Sequence, residues 1–452
     1  MSTAYVLNLS FMDLNSAAES LVLSVGLTFG GKIDPLQVED ACSRIAKAWP
    51  LLGAHIFLDN ETNQIKAAVP PSESAKLKHT SRALDATLAE VEKPYTKTQT
   101  ISTQVTLRNE DLYRDYPLRD IEYYLSSGKP AFALHTAYLR DATIFTLTFL
   151  HLLMDMSGFS EFAKAFILAL DGKPIPPLLS RNPWSALLPR ALHLSDNPET
   201  RAGWTIWGAE QLTASRQAEQ NALTIDGPVR QRTVYFPASE ILRLKREAIK
   251  ELQSAGHSIS FLSSTDIIAA WLYKHTFIDI EEVERKNRFF YVVHTSNRFP
   301  DAFPPEETYI HNAFFIMSTE NLTDAQLHSM SLAEVAHMIR LSVQKQTTQE
   351  QLLSQLKWKY EHAGQTQVPF SPGERLHGLA FGLGDLNVTK HIKQGTGTGK
   401  VLDVFYDITD TGRYASAIKF RDSEGGIVCN MDFGTRRWTS GKVAEYALEG
   451  QA

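Results

Sequence analysis

The sequence has few of the residues that mark disulfide-rich or metal-binding proteins. Cys42 and Cys429 are the only cysteines in 452 residues, and neither stands in a CxxC or comparable ligand spacing. A disulfide-stabilised scaffold and a cysteine-based zinc site are therefore excluded. Two isolated thiols are typical of an intracellular protein, and we predict no metal cofactor.

Long apolar runs are also missing. No stretch of the chain approaches the ~20 apolar residues that a helix needs to cross a bilayer. The first residues, MSTAYVLNLSFMDLN, lack both the basic start and the apolar run of a secretory signal. We expect a cytoplasmic protein without a membrane span.

Neither charge nor short motifs point to the commonest enzyme and binding classes. The chain carries a net charge of -6, and its basic residues are scattered, which argues against a nucleic-acid surface. It contains no GxSxG or HExxH motif. The stretch GTGTGK at 395–400 lacks the first glycine and the final Ser or Thr of a phosphate-binding loop, because Gln394 and Val401 stand there.

What the chain does have is the composition of a globular protein, with 43% hydrophobic and 21% charged residues. Its length favours two domains over one. Strand patterns and helix patterns are interspersed, which predicts an α/β protein. We predict an N-terminal domain over 1–175, a crossover over 176–231 and a C-terminal domain over 232–452.

One strand, corner and helix stand out near the middle of the chain. Phe145, Leu147 and Phe149 alternate with Thr146 and Thr148, with the period of two that indicates a strand. HLLMDMSGF follows at 151–159, and apolar residues then recur at helical spacing as far as Leu170. His151 is predicted at the end of the strand, where a rigid element can hold a functional side chain at a loop.

The HxxxD spacing of His151 and Asp155 is by itself uninformative, because HIFLD at 55–59 and HTFID at 275–279 share it. The first of these lies in a predicted hairpin strand. The second closes a predicted helix, where a cation near the last carbonyls is favourable for structural reasons alone. Only the 151–155 match stands at a strand end followed by a polar corner, which makes it the candidate for chemistry.

A strand that ends in HxxxD resembles the BAHD acyltransferases and their fungal relatives, the trichothecene acetyltransferases, which share the chloramphenicol acetyltransferase architecture. Further landmarks of this family occur in the family's order. The matching segments are DPLQVEDACSRIAKAWPLLGAHI at 34–56, SFLSSTDIIAAWLY at 260–273, SNRF at 296–299 and YIHNAFF at 309–315. The residue after Asp155 departs from the family, since Met156 replaces a glycine.

This resemblance implies two pseudo-symmetric chloramphenicol acetyltransferase-like domains with mixed sheets flanked by helices, and a site in a channel between them. It implies that His151 acts as general base in a direct transfer from acyl-CoA, with acetyl-CoA expected first, to a hydroxyl of a small secondary metabolite. Asp155 would be structural and pair with Arg298. Thr389 or Asn387 would donate to the oxyanion.

Four residues would complete the substrate and cofactor site, namely Ser157, Gly158, Arg298 and Asn312. The protein would be a monomer without a nucleic-acid or membrane partner.

Two alternatives to this reading remain open. One is a metabolite-binding scaffold or cyclase that uses the same cleft. The other is a condensation-type enzyme, although that class prefers HHxxxDG and Leu150 precedes His151 here.

Overall fold

The computed structural model describes residues 4–14, 20–106, 108–115, 117–195, 204–276, 286–368, 375–378, 401–409, 417–422 and 424–448. The strands of this part are β1 (Tyr5–Asn8), β2 (Val22–Gly30), β3 (His55–Asp59), β4 (Gln64–Val69), β5 (Lys78–Ala83), β6 (Ser102–Gln104), β7 (Phe132–Tyr138), β8 (Ala142–Leu150), β9 (Thr205–Ile206), β10 (Val229–Phe236), β11 (Lys286–His294), β12 (Phe314–Ser318), β13 (Leu322–Thr323), β14 (Gln367–Val368), β15 (Arg375–Gly378), β16 (Val401–Ile408), β17 (Ala417–Arg421) and β18 (Ile427–Gly434). The helices are α1 (Pro35–Ala48), α2 (Leu88–Val91), α3 (Ile121–Ser127), α4 (Met156–Leu170), α5 (Pro183–Leu192), α6 (Ala209–Asp226), α7 (Ala238–Ser254), α8 (Ser264–Thr276), α9 (Asp324–Ser329), α10 (Leu332–Gln346), α11 (Gln349–Glu361) and α12 (Thr435–Ser440).

A five-stranded mixed sheet forms the centre of the first half, in the order β16-β2-β8-β7-β5. β8 pairs with β2 along its whole length, and all nine of its residues are buried. The threonines of the alternating pattern are buried as well, and the Thr148 hydroxyl lies 2.6 Å from that of Ser24. This burial on both faces makes β8 a rigid support for the residues that follow it.

Two helices cover one face of this sheet, and the second of them, α4, ends at Leu170 as the sequence predicted. The Asp34 side chain caps α1 by accepting from the Leu36 N–H, and Pro35 occupies the first turn. α4 packs against α1. Gly172, just beyond α4, has φ +69°, the left-handed conformation that ends a helix and favours glycine. The predicted hairpin around residues 59–61 is also present, as β3 and β4.

The second half contains two further sheets and most of the remaining helices. One sheet has the order β17-β18-β10-β6, and the other has β12-β11-β13 with β15 parallel to β11. α7, α8 and α10 pack together over their apolar residues, forming a second core distinct from the first. Within the described ranges, no helix is long and apolar enough to cross a membrane.

The two halves exchange strands, so the predicted domain ranges do not coincide with the sheets. β6 comes from the N-terminal part but pairs with β10, while β16 comes from the C-terminal part but pairs with β2. A strand edge left open would expose unpaired backbone groups, and each borrowed strand covers one. Buried ion pairs fix β16 in place: Arg108 Nη1 lies 2.8 Å from Asp403 Oδ2.

The predicted crossover at 176–231 is more regular than its sequence pattern indicated. It contains α5 and α6, together with β9, which pairs with β14. Asn182 caps α5 through the Trp184 N–H, and Pro183 begins the helix. α5 packs on α11 of the second half, so the crossover belongs to the folded body.

Candidate active site

His151 occupies the first position after the central strand β8. Its backbone N–H donates to the Leu21 carbonyl at 2.9 Å and so extends the pairing with the neighbouring strand by one bond. The chain then turns within four residues, and the Leu153 and Met154 N–H groups both return to the Leu150 carbonyl. α4 begins immediately afterwards. The predicted strand, corner and helix are therefore all present, and they fix the backbone of His151 tightly.

The imidazole lies at the junction of the two halves. Its ring meets the Phe314 ring edge-on, with centroids 5.9 Å apart, and Phe314 is the first residue of β12 in the second half. The His151 side chain is half-buried, and Nδ1 is covered by protein. A ring held this way can reach a substrate only through Nε2.

Burial is also the main influence on the charge of this histidine. It lowers the pKa of His151 because the imidazolium is poorly solvated there. The residue's own carbonyl, Asp155 and Asp13 act in the opposite direction without overcoming the burial. The neutral form therefore prevails at neutral pH, which is the form that can accept a proton.

Asp155 is buried and holds the corner through two backbone N–H groups. One carboxylate oxygen accepts from the Gly158 N–H at 2.8 Å and caps α4, and the other accepts from the Ala313 N–H at 3.0 Å. The predicted partner Arg298 forms no ion pair with it. The prediction of a structural Asp155 agrees with this geometry, but the predicted pairing is wrong.

Arg298 itself is exposed. The chain leaves β11 at His294, and the buried Thr295 binds the Ala313 carbonyl through both its N–H and its hydroxyl, at 3.1 and 3.0 Å. A short 3-10 turn over Ser296–Arg298 then carries the arginine to the surface. Its assignment to the substrate or cofactor site stays a prediction.

Asn312 is fully buried beside the corner, where its amide binds the protein. Nδ2 donates to the His151 carbonyl at 2.9 Å and to Asp13 Oδ1 at 3.0 Å. The Asn312 backbone N–H donates to the same Asp13 oxygen at 3.2 Å. Asn312 thus positions His151, and Asp13 positions Asn312. Asp13 could not be predicted from the sequence, where its only signal is a single aspartate in SFMDLN.

Gly158 permits the close approach of the two halves at this corner. A Cβ atom at this position would lie 2.0 Å from the Ile310 carbonyl oxygen, so no other residue fits without a shift of backbone. The predicted role in ligand binding does not agree with this contact, because the glycine faces protein. Ser157 is half-buried in the first turn of α4 and stays at the site. Thr389 and Asn387, the predicted oxyanion donors, lie outside the described residues.

A groove of about 470 Å³ runs along the junction next to this corner. Asp13 and Ile310–His311 contribute to its wall, so it reaches the residues just before Asn312 and the aspartate that Asn312 binds. Its size is that of a small-molecule site. Among the residues that the structure describes, no group of three or more His, Cys, Asp or Glu side chains could hold a metal ion.

Comparison with known sequences finds relatives among fungal acetyltransferases. No protein-family model matches the sequence. The chain is 24% identical over 269 residues to the O-acetyltransferase PaAT-2 of Phomopsis amygdali, covering 55% of this chain and 53% of that protein. It is 22% identical over 376 residues to the acetyltransferase adrJ of Penicillium rubens, covering 77% and 73%. The chain thus spans about half the length of the first of these relatives.

Solved structures share the fold over nearly the whole chain. The F. graminearum TRI101 complex with coenzyme A and T-2 mycotoxin has a TM-score of 0.71 at 14% identity, covering 96% of both chains. Vinorine synthase has a TM-score of 0.61 at 14% identity, covering 97% of this chain and 92% of its own. The predicted chloramphenicol acetyltransferase-like fold class is thereby confirmed. In fold the chain is similar to TRI101 and vinorine synthase, and in sequence it is similar to fungal acetyltransferases, in agreement with the resemblance that its motifs indicated.

Proposed function

We propose that this protein transfers an acyl group, acetyl first among the candidates, from acyl-CoA to a hydroxyl of a small secondary metabolite. The observation that carries the proposal is His151, a neutral and half-buried imidazole held at the end of a buried strand where the two halves meet. Relatives named as acetyltransferases and O-acyltransferases support the reaction class. A terpenoid, polyketide or alkaloid would be the acceptor.

In the proposed reaction, His151 Nε2 takes the proton of the acceptor hydroxyl as its oxygen attacks the thioester carbonyl carbon. The new C–O bond forms, the C–S bond of the tetrahedral intermediate breaks, and the proton returns from the imidazole to the coenzyme A thiolate. Direct transfer needs no acyl-enzyme. The buried Nδ1 supports this assignment, because it leaves Nε2 as the working nitrogen.

The surrounding hydrogen bonds supply orientation. The His151 backbone is held on one side by Leu21 and on the other by Asn312, each at 2.9 Å. A base fixed in this way loses little entropy when the substrates bind, and such positioning accounts for much of the acceleration in a two-substrate reaction. An oxyanion donor is also required, and Thr389 or Asn387 remains our proposal for it.

The test is incubation with acetyl-CoA and fractionated fungal metabolite extracts, followed by mass spectrometry for acetylated products and a thiol assay for released coenzyme A. We expect the wild type to produce both signals and His151→Ala to produce neither. His55→Ala is the matched control, since it alters an exposed histidine in another HxxxD stretch. Retained turnover in His151→Ala would contradict the assignment of the base.

The same experiment separates the alternatives. A metabolite-binding scaffold would bind a component of the extract without releasing coenzyme A. A cyclase would change a metabolite without any mass gain from acetyl-CoA. A condensation-type enzyme would act on carrier-bound substrates and leave acetyl-CoA intact.

A further inference from the structure

Lys359 on α11 is a buried cation that the fold does not explain. The residue is 3% exposed, and no carboxylate, carbonyl or hydroxyl of the described residues bonds its amine. Its Nζ lies 3.9 Å from the centroid of the Trp204 ring. Such a cation–π contact offsets only part of the cost of burying an unpaired ammonium. Burial accordingly lowers the pKa of Lys359 to about 7.

A second unmet donor lies in the same place. The indole Nε1 of Trp204 is buried and has no hydrogen-bond partner among the described residues. Buried polar groups are almost always satisfied in folded proteins, and exceptions indicate a role beyond folding. Two donors of this kind, one of them charged, require an acceptor oxygen that the described residues do not provide.

These donors border an apolar wall that leads to the candidate base. We call Trp204, Phe314, Ile316 and Trp358 the aromatic cluster, since they pack together as one group of buried side chains. The Trp204 and Trp358 rings are 6.0 Å apart. Phe314, at the other end, is the residue whose ring meets His151. The cluster therefore connects the imidazole to the lysine.

We propose that the aromatic cluster and Lys359 form a subsite for the acceptor, which takes the carboxylate of an apolar hydroxy acid whose hydroxyl is acylated at His151. This inference rests on the proposed function and names its substrate class. A carboxylate offers two acceptor oxygens, which suits a place with two unmet donors, Lys359 Nζ and Trp204 Nε1. It also neutralises the ammonium, which a neutral ester carbonyl cannot do.

The phosphates of acyl-CoA are a weaker match for this place. They are strongly hydrated and are usually held by several donors near solvent, whereas Lys359 is one cation behind tryptophan side chains. An apolar ring system with a single carboxylate fills such a site and leaves only one charge to be desolvated. The test therefore includes acetyl-CoA as a separate ligand.

The experiment measures binding on the His151→Ala variant, so that its outcome does not depend on turnover. Calorimetry at pH 6.5 compares hydroxylated carboxylic acids of one to four fused rings, each with its methyl ester. We expect at least one acid to bind at least tenfold more tightly than its ester. Lys359→Met should reduce that preference to less than twofold. Lys357→Met, two residues away on the same helix and half-buried, should retain it.

Further variants keep the test decisive if Lys359→Met does not fold. Trp204→Phe retains a ring but removes the indole N–H, and it should weaken binding of the acid more than of the ester. The proposal is overturned if no acid is preferred to its ester, or if the preference survives in Lys359→Met. It is also overturned if Lys359→Met weakens acetyl-CoA binding instead. Absence of acetyl transfer with an intact acid preference would refute the proposed function alone.

Discussion

Removing the Asp155 carboxylate should destabilise the protein through two separate backbone contacts. The loss of the α4 cap at Gly158 costs about 0.5–2 kcal/mol. The Ala313 N–H belongs to a fully buried residue, and leaving it without a partner costs about 1–3 kcal/mol. Asp155→Ala should therefore lower the free energy of unfolding by ~1.5–5 kcal/mol.

Asp155→Asn divides these two contributions. The amide oxygen can still accept from the Gly158 N–H, but the amide nitrogen then faces the Ala313 N–H, and two donors repel. We expect a loss of ~1–3 kcal/mol for this variant, with the α4 cap retained. Chemical denaturation, followed both by tryptophan fluorescence and by circular dichroism, measures the difference and checks whether the two signals coincide.

Arg298→Ala is the control that could refute this reasoning. Arg298 is exposed and forms no ion pair with Asp155, so its substitution should change the free energy of unfolding by less than ~0.5 kcal/mol. If Arg298→Ala were as damaging as Asp155→Asn, and if the double variant were no worse than either single one, the two side chains would be coupled. The backbone account of the corner would then be wrong.

Three other perturbations test the junction and the buried charges. Arg108→Met leaves Asp403 buried without its cation and should lower the free energy of unfolding by ~3–5 kcal/mol in denaturant titration. Folding lowers the pKa of Lys359 from 10.5 to about 7. Between these pH values the unfolded state binds more protons than the folded state, so the free energy of unfolding of the wild type should rise with pH across that window. Lys359→Met should be more stable than the wild type by several kcal/mol at pH 6, with the gap closing towards pH 10.5, and equal stabilities at pH 6 would contradict the burial of a charge. Gly158→Ala should push Ile310 away and lower both thermal stability and turnover, and an unchanged melting temperature would show that the contact is not tight.

The sequence predicted those parts of the site that depend on neighbours in the chain. β8, the turn after it and α4 follow from local periodicity and from a cap-forming aspartate, so His151 could be placed correctly at a strand end. The partner of Asp155 could not, because it is a backbone N–H more than 150 residues away. Every residue except proline has a backbone N–H, so the residue type does not indicate which N–H binds Asp155.

The strand exchange and the buried lysine were missed for related reasons. The apolar pattern of β16 fits an edge of either half, and only tertiary packing decides that it joins β2. Lys359 stands in QLKWKYE, where a lysine between aromatic residues is typical of the solvent face of a helix. The packing of Trp204, from a distant part of the crossover, encloses it. Sequence periodicity alone cannot show such an enclosure.

The contacts that hold His151 are also contacts between the two halves. Asp155 binds the Ala313 N–H, Asn312 binds the His151 carbonyl, and Gly158 meets Ile310, so the proposed base is positioned only when residues 310–313 are docked. Rigid separation of the halves would break all three contacts at once. Under the proposed function, we therefore expect substrates to enter through openings along the junction rather than by domain opening. It follows that a substitution far from His151 that loosens the junction should reduce turnover before it unfolds either half.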